Sequence, residues 1–298
     1  MKKSMKKIIL LAGPTASGKS ATALGWAEKY GGEIVNSDSM QVYAELECLT
    51  ARPSAEEMAQ CPHHLYAVLK GDDPCSADRW RDMAIMVIED IWQRGAIPIV
   101  VGGTGLYFKS LTEGLSPVPE IDLDIRREIR ETVTSETAPE AHVRLSELDP
   151  HMAQKLSPGD SQRISRALEV ILSTGKSLKY WQDIPPTGGL DGRDDVMIHK
   201  NALIMDRTEL YERCNSRFRL MIEQGKAIAE VRALRALNYS PTLPVMKSLG
   251  VPQIIRYLTE EITLEEAISL SQTATRQFAK RQMTWFRNQC GSWNHLKL

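Results

Sequence analysis

The stretch Gly13–Ser20 reads GPTASGKS and matches the pattern Gly-x4-Gly-Lys-Ser/Thr of a phosphate-binding P-loop, with a predicted strand before it and a predicted helix after it. Its glycines let backbone N–H groups converge on an anion, and the N-terminus of a following helix adds a partial positive charge. Lys19 would reach a terminal phosphate, and the Ser20 hydroxyl would hold Mg²⁺. The motif does not decide which polyphosphate is bound. The expected phosphate-binding residues are Gly13, Pro14, Thr15, Ala16, Ser17, Gly18, Lys19 and Ser20.

Strand-like and helix-like segments alternate on either side of this loop. Runs rich in Ile, Val and Leu predict strands, and longer stretches between them predict helices. Such alternation is typical of an α/β fold, here a P-loop NTPase-like core with a parallel sheet and helices on both faces. The predicted strands are Lys7–Ala12, Glu33–Ser37, Leu65–Leu69 and Ile97–Val101, and the predicted helices are Lys19–Tyr30 and Ala77–Arg94.

Turn-rich segments divide the chain into three parts. Two prolines in SPVPEID mark a boundary near residue 119. From there to about residue 180 the chain reads as wholly helical, and PPTGGLDGRDD (Pro185–Asp195) reads as a linker. The run NALIMD that follows resembles another strand of the first sheet, so the helical block is predicted to be an insertion. We expect a P-loop core at residues 5–119, an all-helical insertion at 120–194, and a return to the core with a helical C-terminal segment at 195–298.

Composition excludes several classes of protein. With 42% hydrophobic and 25% charged residues the chain is ordinary for a globular protein. No run approaches the ~18 apolar residues needed to cross a bilayer, so no membrane association is expected. The five cysteines are widely spread and include no Cys-x-x-Cys pair, which is typical of reduced thiols in the cytoplasm. The histidines lack the spacing of a zinc site.

Two further loops follow predicted strands and should lie at the same edge of the sheet as the P-loop, where ligands of open α/β sheets bind. The strand in GEIVNSDSMQVY ends at Asp38, which could cap a helix, bind a metal-bound water or act as a general base. The strand IPIVV is followed by GGTGLY (Gly102–Tyr107), where a hydrolysing NTPase normally has an Asp that helps to hold Mg²⁺. A plain strand-to-helix turn explains these glycines but has no use for Thr104.

Basic residues are concentrated in two places. In QRISR (Gln162–Arg166), Arg163 and Arg166 lie one helical turn apart, where both could meet a phosphate backbone. No acidic residue follows Glu266. A locally basic end on a chain of net charge −1 suggests a polyanionic partner, and a solvated helix face would give the same pattern. The basic residues after Glu266 are Arg276, Lys280, Arg281, Arg287 and Lys297.

Seven segments together resemble one family. They are GPTASGKS, NSDSMQVY, PHHLY, VGGTGLYFKSLTEGL, DSQRISRALEVILSTGKSL, DRTELYERCNSRF and TRQFAKRQMTWFRN. They occur in the order seen in tRNA dimethylallyltransferases, also called tRNA isopentenyltransferases, and the resemblance spans residues 7 to about 290. It implies transfer of a dimethylallyl group from dimethylallyl diphosphate to N6 of adenosine 37 in the anticodon loop of certain tRNAs. The phosphate in the P-loop would then be the diphosphate of an isoprenoid.

The resemblance also implies roles for particular residues. Asp38 would be the catalytic base, Thr104 would fix the amino group or a diphosphate oxygen, and Arg217 in YERCNSRF would bind diphosphate, with Mg²⁺ as cofactor. The implied partners are tRNA and dimethylallyl diphosphate, with the chain acting as a monomer. The implied tRNA-binding residues are Asp38, Ser39, Met40, Gln41, Thr104, Arg126, Gln162, Arg163, Ile164, Ser165, Arg166 and Lys247.

Two other functions fit parts of the sequence. A small-molecule kinase would share the P-loop but use ATP, and a non-catalytic RNA-binding protein would have no use for the GGTG loop and Asp38. The chain also departs from the family pattern at presumed tRNA-facing positions. It has CLTARP (Cys48–Pro53) where the family usually has IGTAKP, Ala44 where a basic residue is frequent, and GVPQ (Gly250–Gln253) for a frequent Gly-Tyr-Lys/Arg segment.

Overall fold

The computed structural model describes residues 5–134 and 136–297. Its main element is a parallel sheet of six strands in the order β3-β2-β4-β1-β7-β8. The strands are β1 (Lys6–Ala12), β2 (Gly32–Asn36), β3 (His63–His64), β4 (Ile97–Gly102), β7 (Val196–Ile204) and β8 (Asn294–Lys297), and a separate two-stranded ribbon contains β5 (Gly114–Leu115) and β6 (Thr187–Gly188).

Helices account for most of the remaining residues described. In chain order they are α1 (Lys19–Tyr30), α2 (Ala55–Met58), α3 (Ala77–Gln93), α4 (Gly105–Thr112), α5 (Leu123–Thr132), α6 (Ala138–Leu148), α7 (Pro150–Ala153), α8 (Ser161–Thr174), α9 (Leu178–Gln182), α10 (Arg207–Glu223), α11 (Lys226–Ala236), α12 (Val251–Leu258) and α13 (Leu264–Gln289), with a short 3-10 helix at Val245–Lys247. In the part of the chain that the structure describes, none of them combines the length and apolar character that a bilayer crossing requires.

Both faces of the sheet are buried. Neighbouring residues of a strand point to opposite faces, and Leu10 and Val100 belong to one apolar cluster while Leu11 and Ile99 belong to another. Helix α1 covers the second face through Ala23 and Ala27, which belong to the same cluster as Leu11. Continuous apolar strands with helices on both faces are the mark of a parallel α/β sheet, as the sequence predicts.

The chain forms two compact units. One comprises the chain up to Thr112 and again from Leu190 onward, and contains the sheet; the other comprises Glu113–Gly189. The second unit has its own apolar core, which includes Ile129, Leu145 and Leu168. The sequence places the insertion at 120–194, whereas this unit begins and ends several residues earlier. In the ribbon, β5 near the start of the unit pairs with β6 near its end. Strands of two residues leave no periodic signal in the sequence, so the sequence does not predict this pairing.

Most predicted elements are present, and one predicted strand is absent. The helix at Lys19–Tyr30 is confirmed at both ends, and the helix predicted to reach Arg94 stops at Gln93. The strand predicted at Leu65–Leu69 is absent, because Leu65 and Ala67 have φ angles of +62° and +52°, which no strand accommodates. The paired residues are His63 and His64 just before them. Strand β8 was not predicted, since it is a mostly exposed edge strand with little apolar pattern.

A buried carboxylate joins three elements at one edge of the sheet. Glu33 of β2 is only 7% exposed and accepts hydrogen bonds from Arg94, just after α3, at 2.7 and 3.2 Å and from His64 of β3 at 2.7 Å. Burial alone would raise the pKa of Glu33, but the hydrogen bonds from Arg94 and His64 outweigh it and hold the pKa below the ordinary value of 4.5.

Replacing Glu33 by Gln should lower the free energy of unfolding by about 2 kcal/mol at pH 7, because charge-assisted hydrogen bonds lose their acceptor charge. A carboxyl whose pKa is lowered by folding stabilises the native state above its unfolded pKa and loses that contribution as the pH falls. The difference in the free energy of unfolding between wild type and Glu33→Gln should therefore shrink below pH 4.5. Urea unfolding at pH 7 and pH 4 measures it. Glu28→Gln, at an exposed position of α1, is the control. A difference that stays constant with pH would contradict this assignment.

Candidate active site

Three loops meet at the carboxyl edge of the sheet. They follow β1, β2 and β4 and contain the P-loop, Asp38 and the GGTG segment respectively. The Gly13 N–H donates to the Gly102 carbonyl at 3.2 Å, and the Thr104 N–H donates to the Ser37 carbonyl at 3.1 Å. A Cβ on Gly102 would lie less than 3.0 Å from the backbone of Ser37, a separation that real Cβ atoms essentially never show. The loops therefore pack backbone against backbone, which explains the glycine there.

The P-loop has the backbone geometry of an anion site. Ala16 and Gly18 both have left-handed conformations, with φ of 63° and 83°, on either side of Ser17. Alternation of this kind turns successive N–H groups toward one point. The Ser17 hydroxyl is buried and has no hydrogen-bond partner among the described residues. A bound anion or an ordered water would satisfy such a hydroxyl, so the loop fits the phosphate ligand predicted from the sequence.

Two cationic side chains border the loop. Lys19 donates to the Pro14 carbonyl at 3.2 Å, and Arg217 of α10 donates to the Thr15 hydroxyl. Burial lowers the pKa of Lys19 to about 8, with Asp38 partly opposing the change and Arg217 adding to it. Burial also lowers the pKa of Arg217. A lysine with a pKa of about 8 is still mostly protonated at pH 7, so the site holds two poorly solvated cations that a phosphate group would stabilise.

Asp38 acts as a local cap with one of its two oxygens. The N–H of Met40 donates to Asp38 Oδ1 at 2.9 Å. The side chain of Asn36 fixes the Asp38 backbone: its Oδ1 accepts the Asp38 N–H at 2.8 Å, and its Nδ2 donates to the Asp38 carbonyl at 3.1 Å. Among the described residues, no donor reaches Oδ2. The charge of Asp38 raises the pKa of both Lys19 and Arg217, which places it near them. The cap and the base proposed from the sequence are therefore compatible roles for one carboxylate.

Thr104 holds the Asp38 loop. Its Oγ1 accepts the Ser39 N–H at 3.0 Å and donates to the Ser39 hydroxyl at 3.3 Å. The side chain of Gln41 is also engaged, because its amide donates to the carbonyls of Thr50 and Ala51. These two side chains therefore shape the loops around Asp38.

A glutamine that the sequence did not single out joins two of the loops. Gln282 of α13 accepts the Thr15 N–H at 2.9 Å and donates to the Gly103 carbonyl at 2.9 Å. It lies in TRQFAKRQMTWFRN, a family-like segment for which the sequence predicts no site residue. The available signal was its position: Thr275, Ala279, Gln282 and Phe286 form one buried stripe of the helix, where a polar side chain needs partners.

The predicted tRNA-binding residues are spread over both units. On α8, Gln162 and Arg163 are exposed, and Ser165 and Arg166 are partly exposed. The position of Ile164 contradicts the prediction that this residue binds tRNA. Its side chain is 0% exposed in the core of the helical unit, so it has no surface to offer a ligand. Arg126 of α5 has a buried Nε without a partner among the described residues, and Lys247 is exposed in the 3-10 helix.

The departures in CLTARP have structural partners. Leu49 is buried beside Gly250 and Phe218, where a Cβ on Gly250 would meet both side chains. Arg52 donates to the carbonyls of Tyr43 and Ala44 and pairs with Glu47. Both departures from the family pattern therefore stabilise this segment within the protein.

The donor set suits Mg²⁺ only if a phosphate ligand shares it. No group of three or more His, Cys, Asp or Glu side chains that could hold a metal occurs within residues 5–134 and 136–297. Mg²⁺ usually keeps several waters and binds through one or two protein groups plus substrate phosphates. The exposed Ser20 hydroxyl, at the start of α1 beside the P-loop, fits such a role.

Comparisons with known proteins agree on one family. Residues 41–289 match the model of the IPP transferase family, and residues 6–69 match that of isopentenyl transferase. A tRNA dimethylallyltransferase of Parvibaculum lavamentivorans is 48% identical over 98% of this chain and 91% of its own length. The crystal structure of a tRNA isopentenylpyrophosphate transferase from Bacillus halodurans is 33% identical, with a TM-score of 0.69 over 98% of this chain and 90% of its own. A eukaryotic dimethylallyltransferase acting on tRNA has a TM-score of 0.79 at 29% identity, over 98% of this chain and 74% of its own.

Replacing Lys19 by Ala should weaken the binding of inorganic pyrophosphate by about 10- to 100-fold, because a poorly solvated anion loses a charge-assisted hydrogen bond. Isothermal titration calorimetry measures this affinity directly. Lys29→Ala, at an exposed position of the same helix, is the matched control and should bind like wild type. Unchanged affinity in Lys19→Ala would mean that the P-loop is not the pyrophosphate site.

Proposed function

The chain belongs to the IPP transferase family, and from that premise we propose that it is a tRNA dimethylallyltransferase. It transfers the dimethylallyl group of dimethylallyl diphosphate to N6 of adenosine 37 in the anticodon loop of a subset of tRNAs. The observation that carries the proposal is the grouping of Asp38, Lys19 and Arg217 around the P-loop. Main-chain hydrogen bonds join the loops after β1, β2 and β4, and both cations donate to P-loop residues. That set provides a proton acceptor and a grip for a diphosphate leaving group at one place.

The cations and the P-loop act on the leaving group. As the allylic C–O bond breaks, negative charge develops on the diphosphate, and Lys19, Arg217 and the loop N–H groups stabilise it. Poor solvation of Lys19 strengthens this interaction, since little water competes for the charge. Ser20 would hold Mg²⁺, and the bound ion would neutralise part of the negative charge of the diphosphate.

Asp38 acts on the nucleophile. An adenine amino group is a weak nucleophile, so a carboxylate that takes a proton from N6 assists the attack. Oδ1 remains engaged with the Met40 N–H, which leaves Oδ2 to accept the proton. Thr104 keeps the loop in place through Ser39. Adenosine 37 must leave its stack to reach this carboxylate, as bases do in other enzymes that modify them.

The end of β4 argues against an ATP-hydrolysing site. Many P-loop NTPases carry a carboxylate at the end of a second apolar strand to help hold Mg²⁺. Here Gly102 ends the strand, and its backbone lies so close to Ser37 that no side chain fits. No specific observation favours the kinase or the non-catalytic alternative, and the relatives support neither.

The basic residues of the helical unit are proposed to bind the tRNA backbone. Arg163 is largely exposed on α8, with a weak contact to Asp160, and Arg166 is partly exposed next to Glu169. RNA loops are bound through phosphate contacts and splayed bases, so such residues position the tRNA rather than read its sequence. We expect the protein to act as a monomer in the cytoplasm, where its tRNA substrate is found.

Incubation of the purified protein with labelled dimethylallyl diphosphate, ATP and unmodified tRNA tests the function. Label should appear in tRNA, with no formation of ADP. A tRNA in which adenosine 37 is replaced by guanosine is the control and should stay unlabelled. Formation of ADP without labelled tRNA would support the kinase, and tRNA binding without any turnover would support an RNA-binding protein.

Replacing both Arg163 and Arg166 by Ala should weaken tRNA binding and reduce its dependence on salt, because each lost phosphate contact releases about one counterion fewer. The slope of log affinity against log salt should fall by about 1 to 2. Filter binding between 50 and 300 mM salt measures the slope, and Lys155→Ala, exposed in the same unit, is the charge-matched control. A slope equal to that of wild type would show that these arginines do not contact tRNA.

A further inference from the structure

One buried amide links the two loops that the proposed reaction depends on. Gln282 is 5% exposed, and both ends of its carboxamide are used, one by the P-loop and one by the GGTG loop. It comes from α13, far along the chain from either loop. No other polar side chain among the described residues hydrogen-bonds to both segments.

The contact to the P-loop fixes a residue that also holds Arg217. Gln282 accepts the Thr15 N–H, and the Thr15 hydroxyl accepts a hydrogen bond from Arg217. The position of Thr15 is therefore set from two sides, by α13 through its backbone and by α10 through its side chain. A displacement of Gln282 would move both the loop and the partner of a cation that grips the leaving group.

The contact to the GGTG loop explains a second glycine. A Cβ on Gly103 would lie less than 3.0 Å from Gln282 Nε2, so the carboxamide occupies the space that a side chain would take. The next residue is Thr104, which holds Ser39 and the Asp38 loop. Gln282 thus sets the separation between the P-loop and the loop that positions Asp38.

We propose that Gln282 is a positioning residue for the transfer reaction, which holds the diphosphate-binding loop and the Asp38 side of the site in register. The inference rests on the proposed function. Catalysis by positioning is sensitive to distance: a misplacement of about 1 Å can cost ~10²-fold in rate. A buried amide with two good partners is a stiff link, because breaking either bond leaves a buried polar group unsatisfied.

Gln282→Met removes both hydrogen bonds and keeps the approximate volume of the side chain. We expect the transfer rate at saturating substrates to fall by ~10²-fold and the affinity for inorganic pyrophosphate to fall by about 10-fold, because the loop loses its fixed position. The affinity for tRNA should stay within about twofold, and the melting temperature should remain high enough for assay at 25 °C. Gln277→Met, at an exposed position of the same helix, is the matched control and should equal wild type in every measurement.

Two further variants separate positioning from a general loss of stability. In Gln282→Glu the carboxylate still accepts the Thr15 N–H but cannot donate to Gly103, and it adds a negative charge beside the loop. We expect pyrophosphate affinity to fall more than in Gln282→Met, while the rate at saturation falls less. Gly103→Ala displaces the carboxamide from the other side. Its effect should be smaller in Gln282→Met, where the hydrogen bond to Gly103 is already lost, than in wild type.

The outcomes are distinguishable from a failure of the proposed function. If wild type transfers no label to tRNA, the function is wrong, and the pyrophosphate affinities still report on the link. If Gln282→Met lowers the melting temperature but leaves rate and pyrophosphate affinity at wild-type values, the glutamine is structural and the proposal is overturned. Additive losses for Gly103→Ala and Gln282→Met would overturn it as well.

Discussion

The close approach of backbone at the ends of β2 and β4 is the constraint on which the site depends. Gly102 has no room for a side chain against Ser37, and the Thr104 N–H donates to the Ser37 carbonyl across the same contact. Because Gly102 also accepts the Gly13 N–H, the P-loop is tied to the same point. Asp38, Thr104 and the phosphate-binding loop are thus held by main-chain atoms, whose positions vary less than those of side chains.

Positive charge exceeds negative charge among the side chains of the site. Lys19 and Arg217 are both poorly solvated, and Asp38 is the carboxylate whose charge raises the pKa of each. Two cations beside one anion favour the binding of a further anion, which the proposed diphosphate supplies. Asp38 caps its own loop through Oδ1, so the carboxylate proposed as the base has a fixed orientation.

The parallel sheet and the P-loop could be predicted because both depend on local pattern. The helix at Lys19–Tyr30 follows a glycine with φ of 83° and ends at Gly31, signals that the sequence carries. The strand expected at Leu65–Leu69 could not be excluded from its apolar residues, because the left-handed angles at Leu65 and Ala67 depend on tertiary contacts. Asn36 donates to the Leu65 carbonyl, and the Ala67 N–H donates to the Gln41 carbonyl.

The site was partly predictable for a related reason. Asp38, Thr104 and the P-loop share a sheet edge, which strand order and the ends of parallel strands imply. Gln282 and Gly103 are 179 residues apart along the chain, and no residue pattern near Gln282 indicates that contact. The resemblance implies a tRNA contact for Ile164, which lies within the segment QRISR, but its position on the apolar face of α8 buries it.

The single-turnover rate of Asp38→Asn shows whether Asp38 is the base, because Asn keeps the size and the loop-capping oxygen but cannot accept the proton from N6. With saturating dimethylallyl diphosphate and tRNA, we expect the rate to fall by ~10²-fold or more, with both affinities within a few-fold of wild type and little loss of stability. Excess Mg²⁺ should not restore the rate. A near-wild-type rate, or recovery with excess Mg²⁺, would contradict the assignment of Asp38 as the base.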